Sequence, residues 1–157
     1  MDLITTYLSF PYEKIDEAHR ISKELLEEIK SVIKSINANN FKTKISKEKT
    51  MKGQTLYNPV ELNLAFKEAF YKKKWKESRY QYCVTTNRED VENTQNMSLS
   101  EQKKYFSEKK KKVIPSYNQT DFVKDKIAIE VQFGKYSFVA YDLFVKHMLF
   151  YTGGVIN

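Results

Sequence analysis

Ile15, Ala18, Ile21, Leu25, Ile29, Val32, Ile33 and Ile36 recur mostly at three- and four-residue steps, with Glu and Lys filling the positions between them. That period lines one face of a helix, so the pattern predicts an amphipathic helix over 12–36 with its apolar side in a core. Asn37 to Asn40 ends it. A second helix opens at Asn58-Pro59-Val60-Glu61. Asn58 can cap it, Pro59 sits in the first turn where its missing N–H costs nothing, and Glu61 gives a capping-box-like spacing. The helix is expected to run to about Lys73, with Leu62, Ala65, Phe66, Ala69 and Phe70 turned inward. Trp75 follows among lysines, ahead of a strand-like Tyr80 to Thr85. Basic residues beside aromatic rings suit base stacking, but a tryptophan at an element boundary more often fills a core.

Asn87 to Ser100 is polar and reads as a loop. Ser100 is then expected to cap a helix from Glu101 to Lys111, whose closing Lys109–Lys112 run complements the helix dipole. Val123 and Ile127–Phe133 are strand-like, joined by a tight turn at Lys124-Asp125-Lys126. Ser137 can cap a last helix from Phe138 to Tyr151. Tyr141, Phe144, Val145 and Met148 form one apolar stripe on it, and Leu143, His147, Phe150 and Tyr151 widen it. A helix apolar nearly all round is buried or faces a partner, so a dimer interface is expected here.

Composition narrows the classes. The chain has 157 residues, with 27 basic and 20 acidic side chains and a net charge of +7. That length suits one domain over 1–157. With 4 glycines and 3 prolines, collagen-like and linker-like readings fall away. Gly53, Gly134, Gly153 and Gly154 do not have the spacing of a GxGxxG or P-loop cradle. No apolar run approaches the roughly 18 residues of a membrane helix. Met1-Asp2-Leu3 lacks the basic start and apolar stretch of a signal peptide. The lone Cys83 gives neither a disulfide framework nor a cysteine zinc site, and reads as a small buried strand residue. These features fit the cytoplasm.

Positive charge favours a polyanionic partner, nucleic acid above all. Lys42, Lys44, Lys47, Lys49 and Lys52 alternate with hydroxyl-bearing residues. Such a segment is a solvated loop on composition alone, or a set of phosphate contacts.

The stretch from Ser116 to Phe133 carries the chemistry. Strand residues two apart share a face about 6.6–7 Å apart, so Glu130 and Gln132 project together with Ala128. Ile127, Ile129, Val131 and Phe133 point the other way, into a core. A glutamate within so apolar a strand is expensive to bury unpaired. Asp121, brought alongside by the turn, offers a second carboxylate, and the pair suits Mg²⁺, which takes one or two carboxylates with waters and phosphate oxygens. Gln132 does not titrate, so it cannot be a general base; its amide can hold a water or sit beside the ion. The other reading is a polar, solvent-facing strand side on which Glu130 and Gln132 are incidental. His147 and His19 read as helical packing residues rather than catalytic bases.

Asp121, eight residues, then Glu130-Val131-Gln132 resembles the PD-(D/E)xK nuclease motif, in the variant where glutamine stands for the usual lysine. Variation at that position is typical of the branch containing the BglII-like type II restriction endonucleases. Ser46–Thr50, Ala65–Glu68, Trp75–Arg79, Tyr117–Val123 and Glu130–Phe138 are similar to that branch, and the resemblance covers nearly the whole chain. It implies an α/β fold with a mixed central sheet flanked by helices. It also implies a homodimer that binds duplex DNA and cuts both strands with Mg²⁺ at a short palindrome with a GATC core. Carried over by position, Asp121 and Glu130 are metal ligands and Gln132 the third active-site residue. Lys135 is set to reach guanine edges or phosphates. Asn118 and Lys124 are further candidates for DNA contact, alongside Lys44, Lys47 and Lys49.

The chain ends at Tyr151–Asn157, where the resemblance implies a further sheet strand. The expectation is therefore an enzyme shortened at its C-terminal strands. Its alternative is a remnant that holds DNA without cutting.

Overall fold

Ser22 sets the start of α1 (Lys23–Ser35): its hydroxyl accepts the Leu25 N–H at 3.1 Å. The computed structural model describes Met1, residues 21–133 and residues 138–157, in two units, Met1–Trp75 and Lys76–Asn157. Within the described residues the expected 12–36 helix starts only after Ser22, because a serine side chain that caps offers the backbone an alternative to helix; the 12–20 part of that expectation lies outside the described residues. Within α1 the apolar period holds, with Val32 buried and Leu25, Ile29 and Ile33 half-buried.

In the first unit the lysine-rich segment is not a plain loop. β1 (Lys44–Ile45) and β2 (Thr55–Leu56) pair antiparallel, Lys44 opposite Leu56 and Ile45 opposite Thr55. Ser46 knots the tip: its N–H donates to Gln54, its carbonyl accepts from Gly53, and its hydroxyl accepts from Glu48 N–H. Gly53, at φ +82°, supplies the left-handed residue that this turn needs. α2 (Pro59–Lys72) starts as expected, with Asn58 accepting from Val60 and Glu61 N–H. Glu61 itself accepts the Thr43 hydroxyl at 2.7 Å. Leu62, Phe66 and Phe70 are buried on one face, as the spacing requires, and Trp75 closes this core with no exposed surface.

The second unit is built on a three-stranded antiparallel sheet, β3 (Lys76–Val84), β4 (Ile114–Lys124) and β5 (Ile127–Ile129), in that spatial order. β4 begins well before Val123, since it pairs along β3 from Ile114 opposite Val84 to Val123 opposite Lys76. Its buried face is largely polar, Asn118 and Thr120 with Phe122, which hides the strand from a hydrophobic reading. β5 is correspondingly shorter than the expected Ile127–Phe133, and its three residues are half-buried rather than core. The α/β class is as expected, and the sheets of the described residues are antiparallel throughout.

The 87–100 segment is a helix, α3 (Arg88–Thr94), and not a loop. Asn87 caps it, and Asp90 is buried where Tyr105, Lys109 and Lys111 reach its carboxylate. The hydrogen bond from Lys111 holds that carboxyl below its usual range. Two lysines of the 109–112 run therefore serve Asp90 as well as a helix end. α4 (Leu99–Glu108) is capped by Ser98, in a capping box with Glu101, rather than by Ser100. Gln102 on α4 accepts the Cys83 N–H at 2.7 Å, and burial pushes the Cys83 thiol up.

The last helix runs as α5 (Val139–Tyr141), a π-helical stretch Asp142–His147, and α6 (Met148–Thr152). Phe150 is fully buried, and Gly153 packs so closely that a Cβ there would stand 2.2 Å from the Tyr80 ring. The rest of its apolar surface, Tyr141, Leu143, Phe144, Val145, Met148 and Tyr151, is exposed, Phe144 by 73%.

The β4–β5 turn has positive φ at both central residues, Asp125 (47°) and Lys126 (62°), the signature of a type I′ hairpin. A lysine pays a steric penalty there that glycine escapes. Replacing Asp125-Lys126 by Asn-Gly is expected to stabilise the protein by about 1 kcal/mol. An unchanged or lowered urea midpoint would refute this.

Candidate active site

The hairpin fixes where the carboxylates meet. Phe122 pairs with Ile129, Val123 with Ala128 and Lys124 with Ile127, so one further step of the same register sets Asp121 opposite Glu130. The ladder stops at that step because a side chain takes over its hydrogen bond: Val131 N–H donates to Asp121 Oδ2 at 2.9 Å. Glu130 thus stands just past β5 rather than inside a strand, and Asp121 lies within β4 rather than leading into it. The two carboxyls are close enough for Glu130 to act on the titration of Asp121. Burial raises the Asp121 pKa; Val131 and Lys146 oppose the rise, and the neighbouring Glu130 adds to it.

Glu130 behaves in the opposite sense. Burial works against its charge, but His147, Lys146 and Thr120 outweigh that and hold it down to about 2. Lys146 Nζ lies 2.8 Å from Glu130 Oε1 and 3.0 Å from Asp142 Oδ1, and His147 Nε2 is 3.6 Å from the same glutamate oxygen. Gln132 Nε2 donates to the other oxygen of Asp142. The π-helical stretch matters here. Its wider turn separates successive residues by a smaller angle than an α-helix does, so Lys146 and His147 both face one carboxylate.

Asp121 and Glu130 are therefore neighbours, and Gln132 reaches the same neighbourhood through Asp142 rather than through a shared strand face. Asp142, which is buried, and Lys146 were missed; their four-residue spacing on a helix was the available signal. His147, read as a packing residue, faces Glu130. Asn118 is buried, with its Oδ1 accepting from Tyr141 Oη at 3.2 Å, so it is turned under the last helix instead of outward. Lys124 is half-buried at the end of β4. Lys44, Lys47 and Lys49 are exposed on the hairpin of the first unit. Lys135, Ser137 and His19 lie outside the described residues.

Two carboxyls pressed together at reduced solvent access, one pushed toward its protonated form, make a site that a hard cation suits. A divalent ion held by them would offset their mutual repulsion. Among the described residues no group of three or more His, Cys, Asp or Glu side chains is arranged to hold a metal. The protein donors on offer are thus the two carboxylates, a set that leaves room for waters and phosphate oxygens. No described helix is long and apolar enough to cross a membrane.

No curated protein matches the chain. The model of the family "Restriction endonuclease BglII/BglIII" matches residues 13–157. With that match spanning nearly all of the sequence, the chain belongs to the BglII/BglIII family of restriction endonucleases and is a site-specific deoxyribonuclease.

Proposed function

We propose that the chain hydrolyses phosphodiester bonds of duplex DNA with Mg²⁺ at a short palindrome containing GATC, acting as a homodimer in the cytoplasm. The observation that carries the metal-dependent part is the Asp121–Glu130 juxtaposition, fixed by the β4–β5 register and the Val131 hydrogen bond. The GATC core rests on the long segments Tyr117–Val123 and Glu130–Phe138, which are similar to the family member BstYI. The homodimer rests on the exposed apolar side of the last helix, a surface that a soluble chain leaves bare at a cost.

Asp121 and Glu130 would hold the ion, with Asp121 kept in orientation by Val131 N–H. Once bound, the ion supplies charge neutralisation at the scissile phosphate and activation of the attacking water. Gln132, neutral at every working pH, orients by hydrogen bonding and moves no proton. The exposed Lys44, Lys47 and Lys49 serve the DNA backbone, where positive charge releases condensed counterions. Lys135, just after the Glu130-Val131-Gln132 segment, reads guanine or phosphate.

A plasmid containing GATC sites tests this directly. Incubation with the protein and Mg²⁺ is expected to give discrete fragments, and EDTA to suppress them. A gel shift with no fragments at any Mg²⁺ concentration would leave only DNA binding and sink the cleavage reading.

A further inference from the structure

A phosphodiester brought against Asp121 and Glu130 adds negative charge to a place that already holds Asp142. Gln132, the polar side chain beside them, is a neutral amide. Among the described residues, Lys146 is the lysine that meets this charge: its Nζ lies within 3.0 Å of both Glu130 and Asp142, and its side chain is 12% exposed. The two acids hold it by different means. Glu130 comes from the end of the hairpin, while Asp142 sits one turn before Lys146 on the same helix. If Glu130 is engaged by a metal ion, the Asp142 contact still keeps the ammonium at the site, and a four-carbon stem lets it swing through a few ångströms. Asp142 also receives Gln132 Nε2, so positions 132 and 146 flank one carboxylate from opposite sides.

We propose that Lys146 is the catalytic cation of this site, presenting its ammonium to the scissile phosphate from the last helix, with Asp142 as the positioning residue that holds it there. The inference rests on the nuclease reading above and names a residue which that reading does not supply. The π-helical stretch is the device that delivers it, by bringing successive helix positions onto the face that looks at Glu130.

Three readouts test it: single-turnover plasmid cleavage in Mg²⁺, duplex binding in Ca²⁺, and Mn²⁺ binding to the protein without DNA. Lys146→Met is expected to slow cleavage on the order of 10²-fold, the scale of losing one preorganised charge at a developing anion. Duplex binding should stay within about threefold, because the substrate is held mainly elsewhere. Lys146→Arg should retain more activity than Lys146→Met. The double variant Lys146→Met/Gln132→Lys, which returns an ammonium to the other side of Asp142, should recover about tenfold or more of the lost rate. Mn²⁺ should bind Lys146→Met more tightly than wild type, since a competing cation has left Glu130.

Cleavage by Lys146→Met within about threefold of wild type overturns the inference while leaving the nuclease reading intact. So does a loss of rate that neither Lys146→Arg nor Gln132→Lys relieves. Should the wild-type chain fail to cut, the nuclease reading fails first. The Mn²⁺ titration then decides separately, because an unchanged affinity in Lys146→Met removes Lys146 from the carboxylate site altogether.

Discussion

Asp121→Asn is expected to abolish cleavage and, at neutral pH, to make the metal-free protein more stable. Both effects come from the same carboxyl. In the metal-binding role proposed for Asp121, a ligand is worth several kcal/mol of transition-state stabilisation, so at tenfold per 1.36 kcal/mol its loss costs the rate on the order of 10³-fold. In the absence of metal, however, the Asp121 charge is a burden, because burial and the adjacent Glu130 both raise its pKa. Asparagine keeps an oxygen for the Val131 N–H and places an amide N–H toward Glu130, so both contacts survive without the charge.

The sign with pH follows. A carboxyl whose folded pKa lies above its unfolded value destabilises the fold where it is ionised, and that penalty fades as pH falls and it takes up a proton. The stability gain of Asp121→Asn over wild type should therefore be present at pH 7 and shrink in acid. Glu130 runs the other way. Held down to about 2 from an ordinary 4.5, it contributes stability that is complete above the unfolded value and lost as pH falls toward 2. Thermal melts without metal across pH 3–8, paired with cleavage assays, check both halves. A variant that melts lower than wild type at pH 7, or that still cuts at the wild-type rate, contradicts the assignment of Asp121.

Why this pair was readable from the sequence is a matter of local geometry. Asp121 and Glu130 are nearly equidistant from a turn marked by Lys124-Asp125-Lys126, and a tight hairpin makes such positions cross-strand neighbours. Nothing beyond chain order and strand period is needed. The α2 start was legible for a similar reason, since Asn58-Pro59 acts on the four residues that follow.

The rest depended on contacts between distant residues. Asp142 and Lys146 acquire meaning only when the last helix packs beside Glu130, and a π-helical stretch cannot be foreseen from periodicity that assumes an α-helix. α3 was hidden because its one fully buried acid, Asp90, looks like a loop residue until Lys111 pairs with it from across α4. β4 escaped because Asn118 and Thr120 occupy its inner face, which defeats an argument from apolar alternation. The misplaced α4 cap has a different origin. Ser98 and Ser100 both offer a hydroxyl, but Ser98 stands three residues before Glu101, the spacing that a capping box needs, and that contact decides the start.

Trp75→Ala is expected to cost the first unit about 3–5 kcal/mol, a large part of what holds a domain folded. Trp75 has no exposed surface, meets Phe70 edge-on at 5.7 Å between ring centroids, and donates its indole N–H to Glu28 on α1 at 2.6 Å. Truncation removes all three: the buried area, the ring pair with the α2 core, and a charge-assisted bond to α1. Trp75→Phe separates these contributions. It keeps an aromatic ring against Phe70 but gives Glu28 no donor, and should cost roughly 1.5–3 kcal/mol for a hydrogen bond to a charged group. Since this is the one tryptophan of the chain, its fluorescence in wild type reports on this core alone, while far-UV circular dichroism reports on all the helices. Urea unfolding of wild type and both variants, followed by circular dichroism, should rank them wild type, Trp75→Phe, Trp75→Ala. Coincident midpoints for the two variants would mean that the ring contributes nothing beyond its N–H, which the packing of Trp75 against Phe70 denies.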